Sequence, residues 1–362
     1  MDRNASEAGR KLRLNRLQVM ETDAGLLLKR GRAVVQVQGE ASAQIAQALL
    51  AVAAEGDASR EELCDPFPPP LRPSVEQLIQ ALEARRLLTD ATHPEPAEEG
   101  PTDVFYWHFG RGREEVARNL ARAAITVVGV NCVSRRLVAA LLESGLEAVE
   151  VVDYTLLGNV RLFHRDGTLD AAHWPAALGR PVPWRAWEEA GGGREAGCIV
   201  ATSDFGGQQL LREWNRRCIA ARTPFLPVVL QDLIGTVGPL VIPGEGVCLE
   251  CVRARENAHM DSPETRRAAE HAAYSGQVVN AFHPSMASIL GDLAAMELVK
   301  FHGQLMRSQL VGHLFEVNLA VPEIRTRRVL KLPRCQACGV PAQRSPVSDD
   351  RMSFMPGHEA VR

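Results

Sequence analysis

Two Cys-x-x-Cys pairs constrain this chain more than any other feature: Cys248-Leu-Glu-Cys251 inside VIPGEGVCLECVRARENAH, and Cys335-Gln-Ala-Cys338 inside LKLPRCQACGVP. Four thiolates at about 2.3 Å can surround one zinc ion and leave no position for water. The pairs therefore read as a closed structural zinc site that pins the C-terminal segment to the loop after residue 243. The alternative is two unrelated pairs, one of them redox-active. Paired spacing and the turn-forming Gly339 favour the metal. Cys64, Cys132, Cys198 and Cys218 stand singly and read as small buried hydrophobes. Cys132 differs, because it falls in a strand-to-helix turn whose N–H groups would lower a thiol pKa.

The chain has 362 residues, 46% hydrophobic and 23% charged, enough to bury cores in two or three domains. A net charge of −3 argues against a general nucleic-acid binder, which carries a strong basic bias. The opening MDRNASEAGRKLRLNRLQVM lacks the apolar stretch of a secretory signal, and no apolar run reaches the length of a membrane span. A cytoplasmic, reducing location is expected. There, Cys-x-x-Cys pairs are more often metal or redox sites than disulfides.

Residues 93–103, HPEPAEEGPTD, read as a linker, within a connecting segment spanning 93–121. Before it, over 1–92, RLQVMET, LLLKR and AVVQVQG alternate apolar and polar residues between tight turns, which predicts short strands. EASAQIAQALLAVAAEG, SREELCDPF with its capping box, and SVEQLIQALEARRLL predict three helices. Strands followed by three helices describe a winged-helix-like module.

Over 122–345, AITVVGV reads as a buried parallel strand, SRRLVAALLESGL as a helix and AVEVVDY as a second strand ending at Asp153. Continued alternation predicts a doubly wound, Rossmann-like α/β domain, followed by a tail at 346–362. A phosphate-binding turn wants glycine at three places. Here Gly129 is present, but Asn131 and Ser134 hold the other two. Asp153 can accept a ribose hydroxyl; equally, the fold is kept for its architecture and Asp153 caps a turn. A Rossmann-type oxidoreductase is disfavoured by the incomplete glycine turn.

ITVVGVNCVSRRLVAALLESGLEAVEVVDYTLLGNVRL, PFLPVVLQDLIGTVGPLVIPGEGVCLECV, HPSMASILGDLAAMELVKFHG and LPRCQACG together resemble the ThiF-like, ubiquitin-activating-type adenylating enzymes, over roughly 122–340. The N-terminal module resembles the peptide clamp that holds leader peptides in ribosomal peptide natural-product pathways. This layout is similar to the leader-binding partner proteins of thiazole/oxazole-modified microcin pathways (ocin-ThiF-like), and also to active peptide-adenylating enzymes. The resemblance implies a nucleotide site at Gly129, Asp153, Asn159, Arg161 and Asp204, the last as magnesium acid. The chain departs from it at Asn131 and Ser134. It departs again in LGRPVPWRAW, where the family's phosphate-reaching lysine is replaced by Val182-Pro183. Those losses imply a vestigial ATP/Mg2+ site.

As an adaptor, the chain would pair a leader peptide with the strand edge at Ala33 to Gln38, through Val34, Val35, Gln36 and Val37. The third helix would form the opposite wall, with pockets from Val75, Leu78, Ile79 and Leu82 and with Arg85 or Arg86 for leader acids. The alternative is an ordinary sheet edge and a helix face that packs the core. The implied partner is a YcaO-type, ATP-dependent cyclodehydratase, and family relatives often form homodimers. The competing function is an adenylating enzyme that activates a peptide or sulfur-carrier C-terminus.

Overall fold

A computed structural model describes residues 10–91, 100–193, 196–258, 281–321 and 323–339, with isolated positions between 262 and 272. These residues form two compact units, divided between Val116 and Ala117.

In the first unit, β1 (Leu12–Leu14) pairs antiparallel with β5 (Leu88–Asp90). The antiparallel strands β2 (Gln18–Thr22), β3 (Gly25–Arg30) and β4 (Ala33–Gln38) form a separate sheet in the order β2-β3-β4. The predicted alternation holds: Leu26, Leu28 and Val35 turn inward. They meet α1 (Glu40–Ala54), α2 (Arg60–Cys64) and α3 (Arg72–Ala84) through Leu49, Leu63, Val75, Ile79 and Leu82. Ser59 and Glu62 form the capping box expected of α2.

The connecting segment is more ordered than its composition suggests. Residues 93–99 lie outside the described residues, but α4 (Pro101–His108) and α5 (Arg113–Ala121) follow directly. Proline suits the first helical position, and the Asp103 carboxylate accepts the Gly100 N–H at 2.8 Å. Trp107 of α4 packs against the N-terminal core. The linker expected through residue 103 therefore gives way to helix at Pro101.

The second unit is built on one eight-stranded sheet, ordered β13-β12-β11-β10-β9-β6-β7-β8. Its elements are β6 (Ala124–Val128), α6 (Cys132–Glu143), β7 (Ala148–Asp153), β8 (Val182–Pro183), α7 (Trp184–Glu189), β9 (Cys198–Ser203), α8 (Gln208–Ala221), β10 (Phe225–Gln231), β11 (Ile234–Val237), α9 (Leu249–Ala258), α10 (Pro284–His302), β12 (His313–Asn318) and β13 (Glu323–Arg328). Strands β10 through β8 run parallel, and β10 to β13 are antiparallel neighbours. From β6 the chain steps outward to β7. From β9 it steps the opposite way, to β10. Right-handed crossovers then place α6 and α8 on opposite faces. The reversal lies between β6 and β9, where such sheets open a crevice at their C-terminal ends. The turns after β6 and β9, with Gly129, Asn131 and Asp204, meet there.

Candidate functional site

Gly129 ends β6 at φ +98°, its N–H donating to the Val152 carbonyl at 3.0 Å. A Cβ at this position would lie 2.9 Å from Leu157 Cβ and 3.0 Å from the Thr202 carbonyl, so only glycine lets the turn approach β9 and the segment after β7 this closely. Asn131 follows, fully buried, as the N-cap of α6. Its Oδ1 accepts the N–H groups of Val133 (3.1 Å) and Ser134 (3.0 Å), while its Nδ2 donates to the carbonyls of Leu157 and Thr202 and to Thr202 Oγ1. Ser134 Oγ accepts the Asn131 N–H at 2.9 Å. The Cys132 N–H goes to Asp204 Oδ2 at 3.0 Å. Asn159 Nδ2 donates to the same oxygen at 2.7 Å.

This arrangement leaves the N–H groups at the start of α6 engaged. A helix N-terminus binds phosphate through its free first-turn N–H groups. At residues 132–134 each of these is already taken, one of them by a carboxylate that is 1% exposed. An incoming phosphate would have to displace Asn131 and face the Asp204 charge. Burial and the Asp204 carboxylate push the Cys132 thiol up to about 12. The lowered pKa expected for that cysteine is therefore corrected, because the helix dipole is outweighed by desolvation and a like charge.

The surroundings of Asp153 differ. Asp153 closes β7 and pairs with Pro183 of β8, in the stretch where the resemblance implies a lysine. No described residue hydrogen-bonds to the Asp153 carboxylate, and burial raises its pKa above the usual 3.8. The folded chain thus favours the protonated acid, and the stability Asp153 contributes falls as pH rises from 3.8 through the raised value. Asp153→Asn is expected to remove that slope and to leave the melting temperature at neutral pH equal or higher. A clear drop would mean that the carboxylate anchors the turn. Arg161 is exposed; among the described residues only its N–H is tied, to Asn159 Oδ1 at 3.0 Å. Arg135, absent from the sequence-based site, sits with Arg161 close enough for both charges to act on the Cys132 thiol. Its place in the first turn of α6 was the available signal.

The four paired cysteines converge as expected. Their sulfurs lie within 4.8 Å of one another, with Cys248–Cys251 at 3.9 Å, Cys248–Cys335 at 3.6 Å and Cys251–Cys338 at 3.5 Å. A tetrahedron with bonds of about 2.3 Å has edges of about 3.8 Å, so the four sulfurs can hold one metal ion. The Leu332 N–H donates to Cys251 Sγ at 3.4 Å, and Gly339 folds its N–H back onto the Cys335 carbonyl at 2.8 Å. The site is also tied to α8. The Leu249 N–H donates to Asn215 Oδ1 at 3.1 Å, while Glu250 accepts from Arg212 and Arg216 at 2.8 and 2.7 Å.

In the first unit, β4 pairs only with β3 among the described residues, and its other edge is open. The two-residue turn closes on the Arg30–Ala33 pair, and the Gly39 N–H donates to the Ala24 carbonyl. Antiparallel alternation then assigns the N–H groups of Ala33, Val35 and Val37 to the β3 ladder. Those of Val34, Gln36 and Gln38 face outward. Burial follows the same alternation: Val35 is buried, whereas Val34 and Gln36 are exposed.

The helix expected to form the opposite wall, α3, turns its apolar face into the core. Val75, Ile79 and Leu82 are 0% exposed, and Leu78 packs against the same core. A module this small needs the apolar face of α3 for its own interior. Arg86 is engaged too, its Nη1 donating to the His108 carbonyl at 3.3 Å; Arg85 is exposed. Among the described residues, no helix is long and apolar enough to cross a membrane.

No protein-family model and no curated protein sequence matches this chain. Solved structures do. The crystal structure of E. coli MccB aligns with a TM-score of 0.68 at 15% identity, covering 97% of this chain and 100% of that one. E. coli MccB with AMPCPP and MccA aligns at 0.65 and 16%, over 91% and 100%. The heterocyclase TruD aligns at 0.58 and 19%, over 91% of this chain and 43% of TruD. At such identities the shared property is the fold, and this chain has the fold of MccB along nearly its whole length.

Proposed function

We propose that this chain is a leader-peptide-binding adaptor for ribosomal peptide maturation. It would hold a precursor peptide on β4 and present it to a YcaO-type, azoline-forming cyclodehydratase. The observation that carries the reading is the closed turn at α6: Asn131, Ser134 and Asp204 satisfy among themselves the donors that a triphosphate would need. MccB structures with this fold contain ATP, or AMPCPP together with MccA. Among the described residues, β4 keeps an open edge and the N–H groups of residues 132–134 are already engaged, which supports the adaptor.

The open edge would add the leader as a fourth strand, with main-chain hydrogen bonds supplying affinity. Holding the peptide raises its local concentration at the partner enzyme with no chemistry in this chain. The four-cysteine site would carry zinc, whose coordination by four thiolates excludes water and makes its role structural. Leu332, Asn215 and Glu250 would orient that site.

A second reading is favoured by one observation. Among the described residues nothing hydrogen-bonds to the half-buried Asp153 carboxylate, which in an adenylating enzyme would be left to accept a ribose hydroxyl. In that reading Arg161 and Arg135 supply positive charge and Asp204 binds magnesium. Hydrogen exchange on the metal-loaded chain with synthetic precursor peptides tests the adaptor. New protection at the Val34, Gln36 and Gln38 amides is expected, and peptide binding without it contradicts docking on β4.

A further inference from the structure

The turn that begins β4 is gripped by a histidine from α4. The Arg32 N–H donates to His108 Nε2 at 3.1 Å. Gly31, at φ +53°, lies so close that a Cβ there would sit 2.6 Å from Nε2 and 3.0 Å from Val104 Cγ1. The helix carrying His108 is anchored separately. Trp107 Nε1 donates to the Arg86 carbonyl at 3.2 Å, and the Trp107 ring receives the Arg30 guanidinium at 4.7 Å. A two-residue turn sets the register of its hairpin, and register decides which amides face outward. The grip on Arg32 thus bears directly on the open edge.

Only a neutral imidazole can accept the Arg32 N–H; the protonated ring has donors alone. The charged groups around His108 are cations: Arg32 in the turn, Arg30 on β3 and Arg86 at the end of α3. Burial first, and then these charges, hold the ring below its usual 6.5. The stability it contributes is therefore present above 6.5 and is lost as pH falls below 6.5 through the lower folded value.

We propose that His108 is a positioning residue for the docking edge: its neutral ring latches the β3–β4 turn, and protonation releases it. This rests on the reading of β4 as the peptide edge, but the latch can be measured without peptide. The experiment is amide hydrogen exchange on the full, metal-loaded chain between about pH 8 and about pH 5, with rates corrected for intrinsic exchange.

Protection at the Arg32 amide is expected to fall about tenfold in the wild type as the ring takes up its proton, the size of one hydrogen bond. His108→Gln keeps a neutral acceptor, so it should hold the protection with no pH dependence. His108→Ala should lack it at every pH, while the Met20 amide between β2 and β3 stays protected. Wild-type protection at Arg32 in His108→Ala overturns the latch. So does His108→Gln behaving like His108→Ala, since the ring would then act by packing alone. With a synthetic precursor peptide that docks on β4, affinity should follow the Arg32 titration, and affinity flat in pH overturns the positioning role. A peptide that protects no β4 amide at any pH overturns instead the docking reading on which the proposal rests.

Discussion

Removing the metal is expected to unfold the C-terminal part of the second unit. The Cys335–Cys338 segment is held by the sulfur cluster, by the Leu332 N–H on Cys251 and by a few apolar contacts from Val329, Leu332 and Ala337. Structural zinc in small domains contributes about 10–16 kcal/mol of binding free energy that appears as folding free energy. The large sheet can form much of its core without it. A loss on the order of 3 kcal/mol is therefore expected for Cys335→Ser or for chelation, lowering the melting temperature by roughly 10 °C. Trp214 on α8 provides a local readout, because α8 is joined to the metal loop through Asn215, Arg212 and Arg216. One zinc released per chain, a lower melting temperature and changed tryptophan emission are expected together. A chain with no bound metal as purified, or with unaltered melting after chelation, contradicts the structural role.

Proline on β4 should act oppositely at adjacent positions. At Gln36 it removes an outward N–H and leaves the ladder to β3 intact, a placement that edge strands tolerate. Peptide affinity for Gln36→Pro is expected to fall at least about tenfold, from one lost hydrogen bond and the ring's obstruction of an added strand. Melting should change little. At Val35, proline removes the ladder donor opposite Leu28 and replaces a buried side chain, so the hairpin itself should fail. Titration of a docking peptide by calorimetry, with melting curves for each variant, separates the cases. Unchanged affinity in a folded Gln36→Pro chain rules out strand addition at this edge.

The sequence announces those parts of the molecule whose physics is local. The paired cysteine spacing foretells the cluster of four sulfurs, hairpin chemistry dictates β2 to β4, and the capping box starts α2 at Ser59. The missing glycines at Asn131 and Ser134 were also visible in the sequence. Their consequence was not, because the cap that completes the closed turn comes from Asp204, far along the chain beyond β9. The face of Val75, Ile79 and Leu82 is apolar in the sequence, but amphipathicity does not say what a helix face buries against. In so small a unit the core claims it first. The outward set on β4 needed the turn length at Gly31–Arg32 to fix its alternation. PTDVFYWH was hidden by the Pro- and Glu-rich residues before it, although Pro101 and Asp103 are helix-start signals.

The most direct measurement is a calorimetric titration of the purified, metal-loaded chain with ATP and magnesium. With the α6 donors held by Asn131 and Asp204, no binding heat is predicted at millimolar nucleotide. Micromolar binding, with pyrophosphate exchange on addition of a peptide, would contradict the adaptor and make the chain an adenylating enzyme.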